Sequence, residues 1–130
     1  LIVLDASAVI DWLIQSPVGQ SIERRIYSRS ETLHAPHLID IEVAQVVRRL
    51  AREATISDQR AEAAIHDLLS LRIVRYPHST LLRRIWLHRH NLSAYDAAYV
   101  ALAEQLGAPL ITCDKRLAAA PGHAATIELF

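Results

Sequence analysis

The sequence predicts an α/β fold in which a parallel sheet is flanked by helices on both faces. Three observations carry that expectation. Short apolar runs of strand length alternate with longer segments of helical period along the chain. The first run, LIVL at 1–4, has no polar alternation and ends abruptly at Asp5, as a doubly covered parallel strand does. In SAYDAAYVALAEQLGAPLITCD, a helix from Asp96 to Gly107 climbs about 16 Å. The strand that follows, to Asp114, returns about 16 Å. Both aspartates therefore belong to one edge, at the carboxyl ends of the strands, where open α/β sheets bind ligands.

The elements follow in order. LIVL is the first strand, and 6–14 and 17–29 read as two helices, the second with Pro17 in its first turn. TLHA (32–35) is a short second strand. In 38–53, Ile39, Val43, Val46, Val47 and Leu50 form one helical stripe. Residues 57–71 form another helix, with Ser57 as N-cap. IVRY (73–76) is the third strand, and 80–90 a further helix. Ser93 caps the next helix, Gly107 stops it, and Tyr99, Leu102, Ala103 and Leu106 mark its stripe. Leu110 and Ile111 begin a buried strand, 114–119 is a short helix, and ATIEL (125–129) is the last strand. No repeat or linker interrupts 1–130, so one domain is expected.

Bulk properties exclude several functions. A chain of 130 residues that is 52% hydrophobic can bury a sizeable core and is not a disordered segment. A single cysteine, Cys113, permits no internal disulfide; a reduced, inert thiol in a cytoplasmic setting is expected. Asp5 and Asp11 break the apolar N-terminal run, so no membrane span or leader is expected. No methionine is present, so an initiator residue that is missing or was trimmed is expected. Zero net charge argues against a broad nucleic-acid binder but leaves room for a local basic rim.

The acids carry the chemistry. Asp5 follows strand one and Asp114 follows strand four, so neighbouring strands would bring them together, with Asp96 on the same edge. A fourth acid would come from the 38–53 helix. Asp40 and Glu42 each lie about 80° from the centre of its stripe, on opposite flanks, so periodicity does not choose. Gathered carboxylates repel one another and raise their own pKa values. A hard divalent cation such as Mg2+ or Mn2+ resolves that conflict and serves phosphoryl chemistry. Each acid also has a plainer reading: Asp5 and Asp114 as N-caps, Asp96 in a capping box, Asp40 and Glu42 as solvated first-turn acids.

Three stretches resemble the PIN-domain ribonucleases. LIVLDASAVIDWL resembles their opening strand, with an Asp followed two positions on by Ser. APHLIDIEVAQVVRRL resembles their Pro-led helix carrying a Glu. LSAYDAAYVALAEQLGAPLITCDKRLA resembles their third and fourth motifs together. Within that superfamily the chain looks most like a VapC-type toxin of a toxin–antitoxin pair, from Leu1 to about Leu117. The resemblance implies a five-stranded parallel sheet and selects Glu42 over Asp40. It implies a catalytic set of Asp5, Glu42, Asp96 and Asp114, with Asp5, Asp96 and Asp114 holding Mg2+, for which Mn2+ substitutes. Ser7 and Thr112 support them, Tyr95 flanks them, and Lys115 and Arg116 contact RNA phosphates. It further implies hydrolysis of tRNA or another structured RNA. The expected partners are a VapB-type antitoxin, whose C-terminal arm covers the site, and a second copy of the chain. The rival within the family is a PIN fold that binds RNA or antitoxin and cleaves little; four intact acids argue against it.

Other features are expected to be structural. His34, His37, His88 and His90 lack a zinc-ligand pattern and read as surface or capping residues. The Arg24-Arg25, Arg48-Arg49 and Arg83-Arg84 doublets read as solvated helix faces, some of them lining an RNA groove or meeting an acidic antitoxin segment. Trp12 and Trp86 read as core or dimer-interface anchors. A receiver domain would need an acidic pair after strand one and an Asp after IVRY, where Pro77 stands; a D-x-D phosphatase would need Asp in place of Ser7.

Overall fold

The structure is a computed structural model that describes residues 1–130. Its five strands are β1 (Ile2–Leu4), β2 (Leu33–Pro36), β3 (Ile73–Tyr76), β4 (Leu110–Thr112) and β5 (Ile127–Leu129). They form one sheet in the order β3-β2-β1-β4-β5, and every pairing is parallel. The central strand β1 joins β2 through Ile2↔Leu33 and β4 through Leu4↔Ile111. Alternate residues of a strand face opposite sides. Ile2, Val3 and Leu4 are all fully buried, so both faces of the sheet are covered.

The helices are α1 (Ala6–Leu13), α2 (Pro17–Ser28), α3 (Leu38–Arg52), α4 (Asp58–Ser70), α5 (Leu82–Leu87), α6 (Ala94–Leu106) and α7 (Lys115–Ala118). Their ends follow local chemistry. Ser16 Oγ accepts the Gly19 N–H at 2.9 Å, Ser57 Oγ that of Arg60 at 3.0 Å, and Ser93 Oγ that of Asp96 at 3.1 Å. Gly107 ends α6 in the left-handed region at φ 61°.

Gly19 lets α2 lie directly on α1. A β-carbon there would stand 1.9 Å from the Asp11 carbonyl oxygen, which is backbone and cannot swing aside. Gly19→Ala is therefore expected to cost about 3 kcal/mol, since the two helices must separate. Urea unfolding checks it: a midpoint equal to that of the unaltered protein would show that the helices separate freely.

Four expectations need correction. The 80–90 segment is not one helix: a 3-10 turn at His78–Thr80 precedes α5, and residues past Leu87 turn back through short-range bonds such as Arg89 N–H to Trp86 O at 3.2 Å. Helix α6 is not one-sided; Ala97 through Ala103 are all buried, because it is enclosed by its neighbours. His34 and His88 are buried rather than superficial. His34 bonds Tyr76 through Nδ1 (2.8 Å) and Thr32 through Nε2 (2.9 Å), which satisfies both ring nitrogens. Arg25 is not solvated: it forks onto Glu128 (3.0 Å) and meets Glu31 (2.7 Å), tying α2 to β5. Trp12 is in the core, as expected; of the core and dimer-interface readings of Trp86, its 66% exposure beside Leu82 and Leu87 removes only the first.

Candidate functional site

The parallel register brings the first two acids together. β1 and β4 are neighbours, so Asp5 just past β1 meets Thr112 at the end of β4. Asp5 is buried, with three protein donors. Thr112 Oγ1–H donates to Oδ2 at 2.5 Å, and Oδ1 accepts from Ser7 Oγ–H (2.7 Å) and the Ala8 N–H (3.0 Å). Ser7 Oγ in turn accepts the Cys113 N–H at 2.9 Å, and Thr112 Oγ1 accepts the Asp114 N–H at 3.0 Å. The two hydroxyls thus stitch the end of β4 onto the start of α1.

Asp5 is the N-cap of α1, and Asp114 caps α7 by accepting the Arg116 and Leu117 N–H groups at 2.9 and 3.3 Å. The capping reading of both residues is correct, and it coexists with their place at the edge: capping occupies Oδ1 of Asp114 and leaves Oδ2 facing Arg116 at 3.9 Å. Asp96 lies in the first turn of α6, and Arg116 reaches its Oδ2 at 3.5 Å. Arg116 is otherwise free to swing, being 83% exposed. Lys115 is exposed beside it.

The acids sense one another. Burial raises the pKa of Asp5, and the Asp114 charge adds to this, against the opposing bonds from Thr112, Ser7 and Ala8. Burial also raises Asp96; Asp114 adds to the rise, while the Arg116 charge and Ser93 oppose it. Asp114 therefore acts on both. In both, desolvation is the largest cause and the Asp114 charge a lesser one.

The structure separates Asp40 from Glu42. Asp40 turns away and holds Arg75 through two bonds of 2.8 Å. Glu42 Oε1 instead accepts the Tyr99 O–H at 2.6 Å. Tyr99 is buried, and burial, the bond to Glu42 and then the charges of Glu42, Asp5 and Asp96 all raise its pKa, so the phenol stays protonated. It therefore lies within the field of three of the four acids. Only a place in the α6 stripe marked it in the sequence; its spacing of one turn after Asp96 was the available signal.

A cavity of about 550 Å³ opens beside these residues, lined by Ser7, Asp11, Ile41, Glu42, Arg49 and Tyr95 among others. Tyr95 is 63% exposed and makes no side-chain hydrogen bond. Cys113, also close by, is pushed up to about 12 by burial and then by Asp11, and so holds its proton. The inert thiol expected from sequence fits that environment.

The acidic side chains are hard oxygen donors, as Mg2+ and Mn2+ prefer. No three His, Cys, Asp or Glu groups stand at mutual metal-binding spacing in their present rotamers. Asp114 Oδ2 and Asp96 Oδ1 nevertheless accept no protein hydrogen bond and can turn to a ligand.

The fold is thus a parallel five-stranded α/β sheet with acids beyond β1 and β4. Residues 2–122 match the PIN domain family model. Ribonuclease VapC12 of Mycobacterium tuberculosis (strain ATCC 25618 / H37Rv) is 43% identical over 129 residues, covering 99% of this chain and 98% of that protein. Ribonuclease VapC1 of the same strain is 44% identical over 128 residues, covering 98% and 96%. Among solved structures, PAE2754 from Pyrobaculum aerophilum aligns with a TM-score of 0.70 at 25% identity, over 97% of this chain and 81% of that one. Mycobacterium tuberculosis VapC20, described as a sarcin-ricin loop cleaving toxin, shares the fold with a TM-score of 0.65 at 19% identity, over 92% and 94%. The chain belongs to the PIN-domain family and, within it, to the VapC ribonucleases, the endoribonuclease toxins of VapBC toxin–antitoxin systems.

Proposed function

We propose that this chain cleaves tRNA or another structured RNA at a Mg2+ site, for which Mn2+ substitutes, held by Asp5, Asp96 and Asp114. The observation that carries this reading is the convergence at one sheet edge of acids from β1, α6 and β4, near enough that the Asp114 charge reaches both Asp5 and Asp96. A protein does not need three such acids to cap helices. When bound, a divalent cation relieves that repulsion, polarises a phosphoryl oxygen and lowers the pKa of bound water. Asp5, Asp96 and Asp114 would supply the hard carboxylate oxygens that such a cation prefers.

The chain's own groups do the rest. Ser7, Ala8 and Thr112 fix Asp5 in one orientation. Glu42 faces the cavity and orients the attacking water. Arg116 neutralises the edge in the absence of RNA and turns to an RNA phosphate when one arrives, with Lys115 beside it. The partner is a VapB-type antitoxin whose C-terminal arm lies in the cavity along α1 and α3, where Ile41 and Tyr95 offer apolar contact. A second copy covers the exposed Leu82, Trp86 and Leu87 of α5. No helix is long and apolar enough to cross a membrane.

The experiment is cleavage of a total small-RNA pool by antitoxin-free protein with Mg2+, with Mn2+ and with a chelator. Discrete products in the two metal arms, absent with chelator, are expected. Equal cleavage in chelator would overturn the metal role. No cleavage in any arm by folded protein would favour a PIN fold that binds RNA or antitoxin without turnover.

A further inference from the structure

Glu42 owes its place to a residue outside the acid set. It stands half-buried on α3 at the wall of an open cavity, and its carboxylate accepts one hydrogen bond from the protein, the Tyr99 O–H at 2.6 Å. A glutamate side chain has several rotatable bonds, and holding it in one rotamer costs conformational entropy. One short, charge-assisted bond is of the size to offset that cost. Tyr99 itself is held rigidly, since its ring is 2% exposed within the enclosed helix α6. It lies one turn beyond Asp96 on that helix, so a single rigid element bears one acid and aims another. A phenylalanine would fill the same apolar space; only the hydroxyl serves Glu42.

We propose that Tyr99 is a positioning residue that holds Glu42 in its working orientation, locking α3 to α6 across the site. This rests on the nuclease reading above, and the test separates the two. RNA cleavage is measured for the unaltered protein, Tyr99→Phe, Glu42→Gln, the double variant and Asp96→Asn. Tyr99→Phe is expected to lower kcat about tenfold, a change of about 1.4 kcal/mol, with KM within about twofold. In the Glu42→Gln background the same change is expected to cost less than about twofold, because the carboxylate it served is gone. Equal losses in both backgrounds, or none in either, would overturn the proposal. The Glu42 carboxyl 13C resonance, assigned by its loss in Glu42→Gln and followed in metal-free protein, is the readout independent of activity. It is expected to move in Tyr99→Phe, and an unmoved resonance would overturn the proposal even if cleavage fell. If Asp96→Asn cleaves as well as the unaltered protein, the proposed acid site fails, while the carboxyl resonance still decides whether Tyr99 holds Glu42.

Discussion

Asp96→Asn is expected to lower RNA cleavage by roughly 10³-fold, about 4 kcal/mol of transition-state stabilisation, while the protein stays folded. The substitution keeps shape and volume. It also keeps the helix cap, because Ser93 Oγ accepts the Asp96 backbone N–H at 3.1 Å, a group the substitution leaves in place. What it removes is charge. Burial and the nearby Asp114 already make that charge unfavourable in the folded chain, and Arg116 offsets this only in part. Neutralising it is therefore expected to leave thermal stability unchanged or slightly raised. Loss of activity together with retained stability marks a group kept for chemistry at some cost to folding. Thermal melts by circular dichroism, run beside the cleavage assay, separate the outcomes. Full activity in the variant would remove Asp96 from the site; a collapse of the melt would make it a structural residue.

The second large effect lies away from the acids. Glu104 on α6 is 8% exposed and joins three elements. It accepts His88 Nε2 at 2.7 Å and the Ala124 N–H at 3.0 Å, with Arg84 at 4.0 Å. This pins the turn after α5 and the loop before β5 to one helix. Glu104→Ala strands a buried imidazole and a backbone donor, and is expected to cost about 3 kcal/mol. Burial pushes the Glu104 pKa up, but Ala124, His88 and Arg84 outweigh it and the net shift is downward. The folded pKa is thus below the unfolded value of about 4.3, so the folded state binds fewer protons as the pH falls through that window. The stabilisation is complete above that value and is lost as pH falls through the folded one. Glu104→Gln, with no proton to bind, is expected to flatten the acid limb of stability below about pH 4.3. Urea midpoints at several pH values read this directly; a variant with an unchanged acid slope would show that Glu104 does not contribute to it.

Much of the fold was legible because its signals are local. Apolar runs without alternation mark β1 and β4, Ser57 and Ser93 mark two helix starts and Pro17 a third, and Gly107 marks a stop; each depends on residues within a few positions. The reach from Asp96 to Asp114 was legible too, since rise per residue is a property of the backbone alone. Side-chain partners across the fold were not. His34 and His88 looked superficial because their partners Tyr76 and Glu104 lie 42 and 16 positions away. Arg25 looked solvated because Glu128 is 103 positions distant. Helix α6 showed a stripe, yet enclosure by surrounding elements buried most of its circumference.

The same division runs through the site. Residue type and spacing alone place acids at the carboxyl edge of a parallel sheet, and motif resemblance selects Glu42. Periodicity could not, because Asp40 and Glu42 flank the apolar stripe of α3 symmetrically. Only the packed structure separates them, by giving Asp40 to Arg75 on β3 and Glu42 to Tyr99 on α6. Backbone geometry is set by each residue's own neighbours along the chain. The partner of a charged side chain is set by which elements pack together, and that is decided when the sheet closes and its helices dock.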